Sequence, residues 1–299
     1  MDSCLVGSEM CIRDSYLAGF VESAYNLLKD EFLASRLSHA DETPHRMLEG
    51  DKTSNWYLWG FSTEKTCYLE AQDTRSGDVV IELLKESQCR YLMTDKFSGY
   101  DRAVKEVNKQ RKSQGLELII NLLCNAHARR KFKDAESSEP EKSEYYIKTY
   151  GKIYRLQDML ENKKVFQITR IRHFQKKLFE EMKARAQEDV YGYSSKSQLG
   201  KAYRYYLKNY EGLTAFMEAP ELPIDNNAQE RLLRNPVVGR KTWYGTHSKK
   251  GAKTASILFS LVESCKLNKV NPREYFKKLV EDLHQKKKPY TPATYAASL

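Results

Sequence analysis

Apolar positions recur every three or four residues over 16–33 (Phe20, Tyr25, Leu28, Phe32), a spacing that predicts a helix. A short strand over 36–40 follows and is closed by Asp41-Glu42-Thr43-Pro44, where the proline reads as a break. Asn55-Trp-Tyr-Leu-Trp-Gly60 and Thr66-Cys-Tyr-Leu-Glu70 read as aromatic and β-branched strands. Residues 77–85 have a helical pattern (Val80, Ile81, Leu84), 90–94 form a compact apolar run ending at Asp95, 100–109 read as helix, and 116–121 as a further strand. The order is three strands, helix, strand, helix, strand. The first three are close enough for hairpins and the later ones need helical crossovers, so the pattern predicts an α/β fold with a mixed sheet and helices packed on it. From Ala128 the stripes become long and helical: Tyr146, Tyr150, Ile153, Leu156 and Leu160; Ile171, Phe174, Leu178 and Met182; Tyr203, Leu207, Tyr210, Leu213 and Met217. Pro220 and Pro223 end this stretch, a helix starts near Asn226, and two more are expected over 255–266 and 272–284. The tail from Lys286 reads as loose.

The first fifteen residues show no helix or strand period. They lack the basic and apolar regions of a signal peptide, and the string CLVGSEMCIRD looks like translated adaptor read-through. Residues 1–15 are therefore set apart as a non-native leader.

Composition narrows the function. The chain has 299 residues, 40% hydrophobic and 30% charged, which excludes disordered, collagen-like and linker classes. No run approaches the roughly 18 apolar residues of a membrane span. The net charge of +10 suggests an anionic partner, with nucleic acid first. Six cysteines, far apart and without a CxxC pair, do not make a disulfide framework. Cys124 and His127 alone fall short of the four ligands of a zinc site.

Three acids stand where phosphoryl chemistry could use them. Asp41 closes the first predicted strand, Asp95 the fourth, and Glu230 lies on the helix opened by Pro223-Ile-Asp-Asn-Asn-Ala-Gln-Glu-Arg231. Ends of adjacent strands lie about 5–10 Å apart, and a helix crossing them can add a third carboxylate. Hard cations such as Mg2+ take oxygen ligands. The ordinary role of a strand-terminal Asp is a turn or a helix cap, and periodicity alone does not bring the three together. Asp225 fits the cap role, accepting from the backbone N–H of Asn227 or Ala228. Glu42 reads as a turn acid and Asp101 as part of the next helix's first turn. Asn226 and Asn227 share a helix face with Glu230, and His39 shares a strand face with Asp41.

Basic residues cluster after these positions. Arg129, Arg130 and Lys131 follow the Cys-x-x-His, Arg231 follows Glu230, and Arg240, Lys241, Lys249 and Lys250 surround Trp243. Arg and Lys give phosphate affinity without sequence reading, and an aromatic among them can stack on an unpaired base. A solvated basic face with Trp243 in the core is the alternative.

The set Ala40-Asp-Glu-Thr-Pro44, Thr94-Asp-Lys-Phe-Ser-Gly-Tyr100, Cys124-Asn-Ala-His-Ala-Arg-Arg-Lys-Phe132, Leu222-Pro-Ile-Asp-Asn-Asn-Ala-Gln-Glu-Arg231 and Val238-Gly-Arg-Lys-Thr-Trp243 resembles the catalytic region of insertion-sequence-66-family transposases. Ser260-Leu-Val-Glu-Ser-Cys-Lys-Leu-Asn268 and Val270-Asn-Pro272 resemble its C-terminal part, so the likeness covers roughly 16–290. It implies a ribonuclease-H-like fold over 16–127 and 223–285 with a helical insertion over 128–222; residues 286–299 read from their composition as a basic tail. It implies an Asp-Asp-Glu site of Asp41, Asp95 and Glu230 holding two Mg2+ ions, with Mn2+ as substitute, and His127 close to these carboxylates. It implies metal-dependent DNA cleavage and strand transfer on transposon ends and target. A homo-oligomer on DNA, accessory proteins of the element and a cytoplasmic, nucleoid-associated location in a bacterium complete the expectation. Family members carry upstream end-binding and zipper-like segments that this chain is expected to lack. The other expectations are a DNA-binding remnant unable to transpose, or a ribonuclease-H-like nuclease without strand transfer.

Overall fold

The computed structural model describes residues 2–48, 55–160, 164–243, 246 and 248–299, with residues 2–12, 55, 165 and 243 described by backbone only. Five strands form one mixed sheet: β1 (Leu37–Arg46), β2 (Asn55–Ser62), β3 (Cys67–Gln72), β4 (Tyr91–Thr94) and β5 (Ile120–Leu123), in the order β3-β2-β1-β4-β5. The β1–β2 and β2–β3 pairs are antiparallel and β4–β5 is parallel. The mixed sheet and its helices match the α/β pattern that the sequence predicts and are consistent with the ribonuclease-H-like fold that the resemblance implies. The chain divides into two compact units, one of Met1–Arg90, Ser98–Ile119 and Ala228–Leu299, the other of Tyr91–Phe97 and Ile120–Asn227.

The first unit holds the β1–β3 meander. Helix α1 (Asp2–Leu33) buries Ala18, Val21, Ala24, Tyr25, Leu28 and Phe32, a three-and-four spacing that forms one apolar stripe. The Tyr25 hydroxyl donates to the Leu69 carbonyl at 2.9 Å. The helix extends back to Asp2, through residues whose pattern carries no helical period, because adding a turn to an anchored helix costs far less than starting one. Helices α2 (Asp78–Lys85) and α3 (Ser98–Ser113) pack together, and α9 (Asn227–Trp243), α10 (Lys249–Leu267) and α11 (Pro272–His284) complete the unit's longer helices. Helix α10 lies along β3 through three serines. Ser256, Ser260 and Ser264 accept the backbone N–H groups of Ala71, Leu69 and Cys67 at 3.0, 2.8 and 2.9 Å. Four helical residues rise about 6 Å and two strand residues about 6.8 Å. A serine on every fourth helical position therefore meets every second strand amide.

The second unit is mostly helical: α4 (Asn125–Ala135), α5 (Pro140–Asp158), α6 (Val165–Asp189), α7 (Gln198–Lys208) and α8 (Tyr210–Thr214). Its core is aromatic. Phe132 stacks on Tyr146 with ring centroids 4.2 Å apart, and Tyr203, Tyr206 and Phe179 continue the cluster.

Several expectations are corrected. Strand β1 does not stop at Asp41 but runs through Pro44 to Arg46, because an antiparallel ladder uses the N–H of only alternate residues and Pro44 can occupy a position that needs none. Glu42 is consequently no turn acid. Its side chain is 2% exposed, accepts from the Arg75 guanidinium at 2.6 and 2.8 Å, and accepts the Tyr100 hydroxyl at 2.6 Å. Strand β5 is shifted to Ile120–Leu123: the side-chain amide of Asn108 brackets Ile119 N and O, while Leu116 and Leu118 are exposed. Phe174 is 45% exposed, and Gln175 takes the inward position on α6. The tail is docked rather than loose. Helix α12 (Pro292–Ala297) starts at a Thr291 cap, Thr291 donates to Glu31 at 2.6 Å, and Tyr275, Tyr290 and Tyr295 pack together.

Candidate active site

Asp41 sits mid-strand on β1 and its cross-strand partner is Gly60 on β2. Directly paired antiparallel residues present the same face, and on that face α9 packs. Leu232 and Leu233 of α9 join Leu58, Cys67 and Leu69 in one buried cluster. Further along, the Arg240 guanidinium donates to the Pro44 carbonyl and, at 3.4 Å, to Thr43 Oγ1. Asn235 of α9 donates to Glu263 of α10 at 2.8 Å. A Cβ on Gly60 would lie 2.2 Å from Gln229 Nε2, 3.0 Å from Leu233 Cδ2 and 3.2 Å from Leu69 Cδ2. The first turn of α9, which carries Glu230 next to Gln229, therefore crosses the ladder at the Asp41–Gly60 pair. The turn that carries Glu230 thus lies over the sheet face that carries Asp41.

The local chemistry explains this placement. Asp225 fixes the start of α9, as its sequence position suggests: it accepts the Asn227 N–H at 3.1 Å, the Asn227 side-chain amide at 2.8 Å and the Tyr154 hydroxyl at 2.9 Å. Asn226 is buried, and its N–H donates to Cys124 Sγ at 3.2 Å. Burial pushes the Cys124 thiol up to about 11, so it stays protonated at neutral pH.

Asp95 belongs to the second unit. It follows β4 directly, and its Oδ1 accepts the Phe97 N–H at 2.8 Å, a turn geometry that fixes one of its oxygens. Thr94 donates to Asn121 Oδ1 at 2.9 Å, a side-chain link between β4 and β5. His127 lies on the first turn of α4, half-buried. His39 is buried on β1, on the face of Asp41, Thr43 and His45. His45 Nε2 lies 3.0 Å from Thr246 Oγ1, and burial and then Arg240 lower its pKa.

The predicted DNA contacts occupy different settings. Arg129 and Arg130 are exposed on α4, whereas Lys131 Nζ lies 4.6 Å from the Tyr205 ring centroid. Arg231 and Lys241 are exposed on α9, while Arg240 is engaged with β1 as above. Lys249 and Lys250 are exposed in the first turn of α10, Lys249 Nζ lying 6.0 Å from the Trp56 ring centroid. The side chain of Trp243 lies outside the described residues. The residues that reading along the chain missed are Gly60 and Gln229. The available signal was an isolated glycine inside an aromatic strand, which marks a close approach of another element.

The family model described as Transposase IS66 family matches residues 11–254. The chain belongs to that family. It is 22% identical over 292 residues to an uncharacterized protein, y4hP, of Sinorhizobium fredii, covering 90% of this chain and 51% of that protein. It is 26% identical over 259 residues to a second uncharacterized protein of that organism, y4qI, covering 82% of this chain and 47% of the relative. The chain thus spans about half the length of the curated relatives it matches. None of the helices among the described residues is long and apolar enough to cross a membrane.

Proposed function

We propose that this chain is a transposase catalytic region that cuts one DNA strand at the end of a mobile element and joins the released 3′-hydroxyl to target DNA. Asp41, Asp95 and Glu230 would hold two Mg2+ ions, with Mn2+ as substitute. The donor set fits: carboxylate oxygens suit hard cations, and at the Asp41–Gly60 pair the strand carries no side chain beside the acid. Bound ions of this kind polarise the attacking and leaving oxygens of an in-line displacement at phosphorus. The protein's part is to fix the carboxylates on a strand and a helix rather than on loops, and to hold DNA phosphates through Arg129, Arg130, Arg231, Lys241, Lys249 and Lys250. Water attacks in the cleavage step and the 3′-hydroxyl in the transfer step, so one site serves both. The reading needs no protein nucleophile, in keeping with a Cys124 thiol that is buried and protonated.

The observation that carries this reading is the crossing of the Glu230 turn over the Asp41–Gly60 pair, in a chain of this family. The test is Asp95→Asn, assayed on end-containing DNA with Mg2+. Cleavage and joining should fall to background with DNA affinity within a factor of two. Normal cleavage by this variant refutes the assignment of Asp95. If the wild-type chain binds end DNA and leaves it whole, the chain is a binding remnant. Cleaved ends that never join a target plasmid leave a nuclease without transfer.

A further inference from the structure

Helix α6 buries polar side chains and leaves apolar ones in water. Gln175 is 0% exposed and Arg172 9%, whereas Phe174 between them in number is 45% exposed. The polar pair is held by its own bonds. Arg172 donates to Gln157 Oε1 and Gln175 Oε1 at 2.7 and 2.8 Å and to the Ala219 carbonyl at 3.1 Å, and Gln175 donates to the Ile153 carbonyl at 3.2 Å. This network sets the rotation of the helix, because a turn that buried Phe174 would strand those groups. Phe174 and, one turn on, Leu178 therefore line an open groove with Leu156 and Met159 of α5. The groove measures about 540 Å³ and lies wholly within the second unit. Met159 at its edge is 51% exposed. Apolar side chains gathered in water on two neighbouring helices mark an interaction surface.

Length and charge say what fits there. The lining stretches Lys152–Met159 and Phe174–Glu181 each run about 10 Å at 1.5 Å per residue, room for two turns of a third helix with anchors at i, i+3 or i+4, and i+7. The rim is basic, with Lys152, Arg155 and Lys177 against Glu181 alone. Lys177 lies 4.0 Å from Glu181, whereas Lys152 and Arg155 form no ion pair among the described residues. The Arg170 guanidinium adds a further cation 5.9 Å from the Phe174 ring centroid. A second copy offering the same groove would set like charges against each other. Duplex DNA offers phosphates and sugars, which four apolar side chains cannot use. An acidic helix with one apolar face satisfies both the lining and the rim.

We propose that the groove between α5 and α6 docks an acidic amphipathic helix of a partner protein, its apolar anchors against Leu156, Met159, Phe174 and Leu178 and its carboxylates beside Lys152 and Arg155. This surface is independent of the three-carboxylate reading and stands or falls without it.

The probe is a fluorescein-labelled, stapled helical peptide of roughly sixteen residues, since free helices below about 12–15 are marginal in water. It carries leucine at the anchor positions and glutamate on the flanks. Two companions replace the glutamates by lysine or scramble the same composition. Fluorescence anisotropy with the full chain should show the glutamate peptide binding at least about tenfold more tightly than either companion. Phe174→Ser and Met159→Ser should each weaken it about tenfold, as expected of anchor contacts, with thermal midpoints within about 2 °C because both positions are exposed. Lys152→Glu combined with Arg155→Glu should reverse the order of the glutamate and lysine peptides. Equal binding of all three peptides, or binding that neither serine variant weakens, overturns the proposal. Sedimentation of the wild-type chain as a dimer that Phe174→Ser converts to monomer assigns the groove to a second copy and overturns it as well. So does a serine variant that loses DNA affinity while keeping the peptide, since the face then belongs to nucleic acid.

Discussion

Two adjacent acids on β1 have opposite fates, set by the pleat. Glu42 points to the face where Arg75 and Tyr100 wait, and its carboxylate is spent on them. Asp41 points to the face of Gly60 and α9. Glu42→Ala should therefore lower stability by about 2 kcal/mol, from the loss of charge-assisted hydrogen bonds at a buried group, as measured by urea unfolding. Asp41→Asn should leave the urea midpoint nearly unchanged and remove Mg2+-dependent cleavage. The sequence shows both acids but not this division. Pro44 reads as the end of a strand, and only the register against β2 reveals that the strand continues and that Glu42 faces a partnered interior. A smaller case lies at Lys269, whose φ of 56° places a side chain in the left-handed region just past α10. Lys269→Gly should raise stability by about 0.5–1 kcal/mol in the same assay, since glycine adopts that conformation freely.

At the scale of elements, the serines of α10 replace what a further strand would supply to β3. Ser260→Ala should strand the buried Leu69 N–H and cost about 1–3 kcal/mol. Amide exchange at Leu69 should speed up selectively, with Cys67 and Ala71 still bonded to Ser264 and Ser256. The last helices offer a pH test. Lys287, then Lys278 and the Tyr290 hydroxyl hold the Asp282 carboxyl down at about 2, against about 3.9 for an unfolded Asp. A carboxyl whose folded value is depressed contributes fully above its unfolded value, and that contribution is lost as pH falls through the folded one. The tail's docking should thus weaken from about pH 4 down to about pH 2, and Asp282→Asn should flatten that part of the thermal-midpoint profile. Helix 272–284 and the succession of strands and helices along the first part of the chain were legible because their apolar patterns are clean. The shift of β5 was not, since Leu116-Glu-Leu-Ile-Ile carries a strand's apolar content while Asn108, distant in sequence, determines where pairing begins. Phe174 fits the predicted stripe equally well, but Gln175 buries itself by bonding to Ile153 O and Gln157 Oε1 at 3.2 and 3.3 Å. The tail looked loose because its anchor is a cluster of three tyrosines and a cap, which no periodicity announces.

At the scale of the whole chain, the charge of +10 sets the salt dependence expected of DNA binding. If six phosphates are neutralised, affinity should drop about a thousandfold between 50 and 200 mM salt, and Lys241→Ala should reduce the slope by about one in a filter-binding titration. Of the candidate site, the acids were legible as residues in or beside strands and in the first turn of a helix, although Asp41 lies mid-strand rather than at a strand end. The passage of the Glu230 turn over the Asp41–Gly60 pair was not, because it depends on which β2 residue pairs with Asp41 and on where α9 crosses, both long-range matters of packing. Gln229 was hidden for the same reason: in the sequence it is one polar residue in a polar run. The serine contacts of α10 also bear on assembly. With the amides of Cys67, Leu69 and Ala71 bonded within their own chain, that margin of the sheet offers no template to a foreign strand. A second copy of the chain cannot extend the sheet at this border, and ribbon-like aggregation has no purchase there.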